Sequence, residues 1–351
     1  MDLVDGESKE SMTQSIQSER DFPKVELHRH LDGAVRLRTV WEEAKRHGVK
    51  LPVDRFEDLQ PHVQVLKPMK NLAEVLNTFW LTQSIFRDEE TLERIAYENV
   101  EDAWNDGTRL VELRYSPEFC ATNHGHTYNQ ILNAFKRGIA RAKEKYPMGV
   151  GLIPIISRTL SKESAWKTVE HVLDNRDDFV GFDLADDESG FDPRTFAEMF
   201  QELIRNKIRI TIHSGEEGPP ENVLKSIEYL GAERIGHGIQ IHRSHEAIEA
   251  VKKADVLLEV CPSSNYLTRA VLSLSEHPLK RLYEAGVRVS INTDDPGIMN
   301  LTLPGEYAIC EREFHFSESD FRTMNRDAFE ASFIPEHEKE KLKNLYFSDL
   351  F

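Results

Sequence analysis

The chain alternates short runs of β-branched and apolar residues with long segments of helical period, and no other feature restricts its fold as strongly. The runs are KVELH (24–28), RLVELRY (109–115), VGLIPIIS (150–157), FVGFDLA (179–185), IRITIH (208–213), ERIGH (233–237), VLLEVC (256–261) and VRVSINT (287–293), which predicts eight strands. Between them, DEETLERIAYENVEDAWNDG (88–107) carries Leu92, Ile95, Ala96, Val100, Ala103 and Trp104 as an apolar helical stripe that Gly107 ends. NQILNAFKRGIARAKEKY (129–146) reads as a second helix. DPRTFAEMFQELIRNK reads as a third, with Asp192 as its N-cap and Pro193 at the first helical position. Strands and helices in alternation pair in parallel through right-handed crossovers, as a closed barrel or as an open doubly wound sheet. Reactive residues close at least five of the runs. In a barrel those ends converge on one mouth, whereas an open sheet spreads them along a line. The expected fold is therefore α/β, a (β/α)8 barrel of the TIM type, with a helical insertion after the first strand over about residues 40–100.

A chain of 351 residues, 39 % of them hydrophobic, can bury a large core, and α/β barrels of this length form one unit. No low-complexity linker or fixed-period repeat interrupts it after Pro23. Residues 22–351 are thus expected to form a single domain behind a polar, acidic tail, residues 1–21, expected to be disordered. Lys and Arg number 44 against 61 Asp and Glu, a formal net charge of −17. Such a surface repels nucleic acid and anionic headgroups and suits a small, near-neutral substrate. Three widely spaced cysteines, Cys120, Cys261 and Cys310, provide neither a disulfide framework nor a CxxC zinc site and fit a reducing compartment. No apolar stretch approaches the roughly 18 residues of a membrane span. The N-terminus has no basic segment followed by an apolar one. A cytoplasmic protein, monomeric or weakly oligomeric, is expected.

VELHRHLDG places His28 and His30 two apart on a strand, so both imidazoles share one face and Arg29 takes the other. An HxH pair alone is weak evidence; HGH at 124–126 has the same spacing in a Gly- and Asn-containing loop and is read as solvated. Further ligand-type residues close other strands. IRITIHSGEEG offers His213 and, three residues on, Glu216; ERIGHGI offers His237 between glycines; VSINTDDP offers Asp294 beside Asp295. Each alone has an ordinary structural reading, such as a first-turn glutamate favoured by a helix dipole or an Asp–Pro turn. Three histidines and a carboxylate converging at barrel-strand ends are more than chance provides. Such a set suits one Zn²⁺ per chain with an open position for water, and Fe²⁺ or Co²⁺ accept the same donors. The ion would bring the pKa of that water towards about 7. Glu216 and His237 are then left for acid–base work, and Asp295 can face the substrate.

PKVELHRHLDGA, ELRYSPEF, HSGEEG, ERIGHGI, CPSSNYLT and INTDDPG, in this order from Pro23 to the C-terminus, resemble the adenosine deaminases of the amidohydrolase superfamily. The resemblance implies His28, His30, His213 and Asp294 as metal ligands. It implies that Glu216 protonates purine N1, that His237 orients and deprotonates the attacking water, that Asp295 hydrogen-bonds purine N7 and that Asp32 binds a ribose hydroxyl. The implied reaction takes adenosine, and 2′-deoxyadenosine, to inosine and ammonia, a purine-salvage step. In LAEVLNTFWL, Leu72, Val75, Leu76 and Phe79 recur at helical spacing and match the family's apolar gate over the nucleoside, although such a stripe also serves as plain core.

The chain departs from the family pattern at Asp186 of GFDLADDES, where adenosine deaminases carry a Gly whose backbone N–H meets purine N3. An Asp keeps that N–H, adds charge at the pocket edge and restricts φ. Ser214 stands where the HAGE motif has Ala. EEGPPE is closer to the adenine deaminases, whereas Asp32 of HLDG favours adenosine over adenine and N6-substituted AMP, for which Glu and Asn are usual. Adenine or an N6-substituted AMP is the nearer alternative substrate. A catalytically silent barrel that binds a partner protein and a barrel phosphoesterase or amidase are the more distant ones. Silent barrels usually lack a ligand or the acid, and here none is missing.

Overall fold

A computed structural model describes residues 22–351 apart from residues 71, 123 and 189, and leaves out the side chains of residues 71–77. The expected tail, residues 1–21, lies outside the described residues. Among the described residues there are eight strands: β1 (Lys24–His30), β2 (Thr108–Tyr115), β3 (Gly149–Ser157), β4 (Asp183–Ala185), β5 (Thr211–Ser214), β6 (Arg234–His237), β7 (Leu257–Val260) and β8 (Val289–Ile291). They pair in parallel in the orders β1-β2-β3-β4 and β5-β6-β7-β8. Single bridges, Phe182 to Ile210 and Arg29 to Asp294, join the two halves at both seams and close the expected barrel. At the second seam His30 N–H donates to Asp294 O (2.8 Å) and Asp294 N–H to His28 O (3.1 Å). Beside it, Asn292 Oδ1 accepts from the backbone N–H groups of Leu27 (2.8 Å) and His28 (3.2 Å), taking the place of a ladder carbonyl.

Strand β4 is shorter than FVGFDLA predicts. A Cβ at Gly181 would stand 2.5 Å from the Phe333 ring, so the C-terminal segment takes the space that a regular strand side chain needs. Helices α1 (Leu37–Arg46), α2 (Leu72–Gln83) and α3 (Glu89–Asn105) lie between β1 and β2. The insertion is confined to α1, α2 and the turns around them; α3 is an ordinary crossover helix packed on α4 (Tyr128–Lys143). The chain then returns through α5 (Lys162–Asp174), α6 (Ala197–Arg205), α7 (Pro220–Leu230), α8 (His245–Lys253) and the short α9 (Pro262–Leu267) and α10 (Leu279–Glu284). The predicted caps are present. Asp88 accepts from Thr91 N–H (2.8 Å), and Asp192 caps a 3-10 turn, Pro193–Phe196, that leads into α6.

Helix α11 (Glu318–Ala331) and the residues after it close the N-terminal end of the barrel, where Phe329, Ile334, Leu342 and Phe347 pack on Val25, Leu27, Leu110 and Leu257. The open mouth is therefore at the C-terminal ends of the strands. The barrel interior is not filled by apolar residues alone. Glu112 and Arg114 of β2, Asp183 of β4, Arg234 of β6 and Glu259 of β7 form a buried ionic layer. Arg114 donates to Asp183 Oδ2 (2.8 Å) and Glu259 Oε2 (2.7 Å), and Arg234 to Glu259 Oε1 (2.7 Å) and to Glu112. Glu112 also accepts from Ser332 Oγ (2.7 Å) and Phe333 N–H, which ties the C-terminal segment to the barrel. Buried charge persists only when each group meets an opposite charge and hydrogen bonds, and this layer meets that condition.

The contact between α3 and α4 can be tested at Gly138, where a Cβ would stand 2.2 Å from Glu93 O. Gly138→Ala gains about 1 kcal/mol of helix propensity, but the backbone carbonyl cannot rotate away and overpacking costs about 1–3 kcal/mol. The variant is expected to unfold at lower denaturant concentration than wild type. Equal or greater stability contradicts this packing.

Candidate active site

Strand ends bring the four expected ligands together. His28 and His30 come from β1, His213 from β5, and Asp294 follows β8; one donor atom of each lies within 4.8 Å of the others. Asp294 Oδ1 is 3.2 Å from both His28 Nε2 and His30 Nε2, and His30 Nε2 is 3.2 Å from His213 Nε2. The hydrogens on these rings are set from behind. His28 Nδ1 lies 2.9 Å from Glu259 Oε2, and His213 Nδ1 lies 2.8 Å from Asp183 Oδ2. Burial opposes ionisation of both carboxylates, but Arg114 and Arg234 at Glu259, and His213 and Arg114 at Asp183, hold them below the usual carboxylate range. Burial also lowers His28 and His213, so both rings are neutral at pH 7. A neutral imidazole hydrogen-bonded to a carboxylate keeps its hydrogen on Nδ1, as His28 does against Glu259, and its Nε2 lone pair then points into the cluster; His213 Nδ1 lies close to Asp183 but off the hydrogen-bond direction. His28 Nε2 accordingly has no hydrogen-bond partner among the described residues, although Asp294 Oδ1 is close. Lone pairs aimed at one another in a dry interior repel, and a divalent cation among them removes the repulsion. The donor set fits Zn²⁺. Around His30, burial is outweighed by Asp295, Asp294 and Asp32, which raise it to about 9 and mark the same demand for positive charge.

Beside the cluster stands Glu216, in the loop before α7 rather than in its first turn. Glu188 holds that loop, its carboxylate accepting from the N–H groups of Gly215 (2.8 Å), Glu216 (2.8 Å) and Gly218 (3.4 Å). Burial, together with the Asp294 charge, raises Glu216 to about 8, so it is protonated at neutral pH. Its Oε1 accepts from Thr268 Oγ1 (2.9 Å) and Asn265 Nδ2 (3.4 Å), which leaves the hydrogen on Oε2. Oε2 lies 3.6 Å from His237 Nε2. Asp295 is raised well above the carboxylate range by burial, with Asp294, Asp32 and Glu216 adding to it against His30. Its Oδ1 is buried without a partner among the described residues. Asp32 is raised by burial; its Oδ2 accepts from Ser116 N–H (3.2 Å), and its Oδ1, 3.9 Å from His30 Nδ1, has no hydrogen-bond partner among the described residues.

His237, Asp294 and Asp186 all adopt left-handed backbone conformations, with φ of 60°, 65° and 79°. Non-glycine residues there store about 1–3 kcal/mol each. Asp186 thus takes the conformation open to Gly, and its carboxylate is held by Ser157 Oγ, Thr159 Oγ1 (2.6 Å) and Asp187 N–H (2.8 Å). His30, His213, Asp294, Glu216, His237, Asp295, Asp32 and Asp186 line a cavity of about 470 Å³ with Phe79, Trp80, Phe119 and Leu160 among its apolar walls. Phe79 of the expected gate lines it; the side chains of Leu72, Val75 and Leu76 lie outside the described residues. The HGH pair is not simply solvated. His124 Nε2 reaches Gln83 O (2.9 Å) and His126 Nε2 reaches Phe86 O (3.1 Å), so both half-buried rings meet backbone carbonyls at the end of α2 and in the turn that follows it.

Sequence reasoning missed several contributors. Asp183 and Glu259 sit inside strand runs that read as core, though a carboxylate in such a run is itself a signal of an inward partner. CPSSNYLT, quoted only as a motif, forms α9 and its C-cap and reaches three site residues: Ser264 donates to Asp294 Oδ2 (2.6 Å), Asn265 meets His237 Nδ1 (3.0 Å), and Thr268 and Asn265 both donate to Glu216 Oε1. Glu188 carried no signal beyond the acidic run that contains it.

Histidines and an aspartate gathered at the C-terminal mouth of a parallel barrel, with protonated carboxyls at their side, define an amidohydrolase-type enzyme. The family described as adenosine deaminase matches residues 23–346, and the chain belongs to that family of hydrolytic deaminases. An adenosine deaminase of Shewanella loihica is 35 % identical over 321 residues, covering 92 % of this chain and 97 % of the relative. Among solved structures, the adenine deaminase of Arthrobacter aurescens superposes with a TM-score of 0.86 at 25 % identity, covering 93 % of this chain and 99 % of its own. The N6-methyl-AMP deaminase of Arabidopsis thaliana superposes with a TM-score of 0.82 at 29 % identity, covering 95 % and 98 %. No helix among the described residues is long and apolar enough to cross a membrane.

Gly33 gives Asp295 its place, since a Cβ there would stand 1.8 Å from Asp295 Oδ1. Gly33→Ala is expected to displace that carboxyl and raise the KM for substrate while metal content, read by elemental analysis, is unchanged. An unaltered KM refutes the placement.

Proposed function

We propose that this protein is a zinc-dependent adenosine deaminase that converts adenosine, and 2′-deoxyadenosine, to inosine and ammonia in purine salvage. One observation carries the reading: two buried carboxyls, Glu216 and Asp295, stand on the wall of one cavity beside the histidine–aspartate cluster, and burial favours the proton-holding form of each, raising Glu216 to about 8 and Asp295 well above its ordinary value. Adenine offers two ring acceptors, N1 and N7, on either side of the carbon that bears its amino group, and two donors suit them. Phosphoesters and simple amides have no such pair.

His28, His30, His213 and Asp294 would hold Zn²⁺, which would lower the pKa of a water to about 7 and so supply a nucleophile at neutral pH. Glu216 Oε2 gives its proton to N1, which draws electron density from C6. The attacking oxygen adds to C6, with His237 Nε2 orienting it from 3.6 Å beside Glu216. Glu216, now a carboxylate, takes the hydrogen left on that oxygen and passes it to the amino group, and the proton released when the water ionised returns Glu216 to its acid form. The C6–N bond then breaks and ammonia leaves; N1 keeps its hydrogen and C6 keeps the oxygen. Asp295 donates to N7, and the unpartnered oxygen of Asp32 accepts from a ribose hydroxyl. Phe79, Trp80, Phe119 and Leu160 exclude water over the ring.

The same cavity favours a nucleoside over a nucleotide. No Lys or Arg is among the described residues that line it, whereas Asp186, Asp187 and Glu217 are, and these carboxylates repel a phosphate. A free base leaves Asp32 without its hydroxyl partner. Initial rates on adenosine, adenine, AMP and N6-methyl-AMP test this. The kcat/KM for adenosine is expected to exceed the others by about 100-fold or more, and a preference for the base or a nucleotide overturns the assignment. Glu216→Gln is expected to keep its metal and lose about 10²–10⁴ in kcat; a fully active variant removes Glu216 from the mechanism.

A further inference from the structure

We infer that Asn265 and His277 form a buried hydrogen-bond chain that fixes the tautomer of His237, so that His237 meets the attacking oxygen as an N–H donor from Nε2. The inference deepens the deaminase reading and rests on it for what His237 faces.

The chain takes its direction from a group that can only donate. Leu279 N–H, at the start of α10, points at His277 Nδ1 (3.1 Å). His277 Nδ1 is therefore an acceptor, and the neutral ring carries its hydrogen on Nε2. That Nε2 lies 3.2 Å from an atom of the Asn265 amide, which must be the oxygen to receive it. With the oxygen placed, Asn265 Nδ2 is the atom 3.0 Å from His237 Nδ1 and 3.4 Å from Glu216 Oε1. Nδ2 has only hydrogens to offer, so His237 Nδ1 accepts and the hydrogen of His237 sits on Nε2. The opposite amide orientation would set Nδ2 against an N–H and is excluded by Leu279. Burial pushes His277 down to about 3, so its ring has one hydrogen to place; His237 Nδ1, as an acceptor, leaves its hydrogen to Nε2. Asn265, His237 and His277 are all buried, at 0 %, 1 % and 5 % exposure, and the Asn265 amide stands between the two rings.

The result separates His237 from its neighbours. His28 and His213 have carboxylates behind Nδ1 and turn lone pairs inward; His237 has an amide N–H behind Nδ1 and turns a hydrogen inward. That hydrogen keeps His237 from acting as a ligand in the alternative grouping with Cys261 and Asp294, although its donor atom is near theirs. Its Nε2 stands 3.6 Å from Glu216 Oε2, also a donor, and 3.9 Å from Asp294 Oδ2. Two donors side by side leave room for one acceptor, the attacking oxygen. His237 then orients that oxygen and does not remove its proton in the resting state. Asn265 and His277 are positioning residues, and Asn265 serves His237 and Glu216 at once.

Long-range ¹H–¹⁵N correlation of histidine-labelled, zinc-loaded protein reads the tautomer, with the His237 signals identified by their loss in His237→Asn. His237 is expected to show a protonated Nε2 and an unprotonated Nδ1; the reverse pattern overturns the inference. Asn265→Asp puts an acceptor behind Nδ1 and is expected to invert the pattern while zinc content is kept, with kcat for adenosine lowered at least about 100-fold. His277→Gln retains a donor to Asn265 and is expected to keep the wild-type pattern, whereas His277→Leu mixes the two tautomers. A wild-type pattern in Asn265→Asp or His277→Leu also overturns the chain. The spectrum is read without substrate, so a protein that shows Nε2–H but does not act on adenosine refutes the function and leaves the tautomer assignment standing.

Discussion

Glu259 is the group on which the site depends. It accepts from Arg114, Arg234 and Thr211 and faces His28 Nδ1, so both of its oxygens are used twice and its charge is never in doubt. A neutral or displaced Glu259 would free the His28 ring to place its hydrogen on either nitrogen, and the lone pair that the cluster needs would be lost. Asp183 does the same for His213 and shares Arg114 with Glu259. The ionic layer inside the barrel is thus continuous with the ligand set at its mouth. It also reaches the opposite end, through Arg234 and Glu112 to Ser332 and Phe333. The C-terminal segment that plugs the barrel therefore braces the floor under the site.

Above that floor, hydrogen-bond direction divides the labour among chemically similar side chains. Three imidazoles near one another take different roles because two have carboxylates behind them and one has an amide. Carboxyls divide in the same way. Asp294 keeps its charge through His28 and His30, while burial and the neighbouring negative charge raise Glu216 to about 8 and shift Asp295 upward as well. Helix α9 adjusts three of these groups at once, and its position directly after β7 follows from the barrel connectivity. The left-handed backbone at His237 turns its side chain at the strand end, where a regular strand would carry it onto the outer face beside Ser214, its register partner.

The barrel and the four residues of the candidate metal cluster were legible in the sequence because they rest on local pattern: eight apolar runs, at least five of them closed by a reactive residue. The pair His28 and His30 follows from strand alternation alone. What was not legible depends on contacts across the barrel. Glu259 and Asp183 look like interruptions of core strands until the arginines opposite them are known, and His277 is a lone histidine before a proline whose partner is twelve residues away. FVGFDLA was read too long because nothing in it shows that the C-terminal Phe333 will crowd Gly181. The HGH loop was read as solvated because the carbonyls it serves, Gln83 and Phe86, belong to another part of the chain.

The central claim is that the imidazoles and Asp294 hold one ion on which adenosine turnover depends. Zinc titrated into chelator-stripped protein, with the adenosine-to-inosine absorbance change as the readout, tests it most directly. The account predicts that turnover is absent at the start, rises in proportion to added zinc and levels off at one ion per chain. Undiminished turnover in the stripped protein, or none in protein shown to hold one zinc per chain, would contradict it.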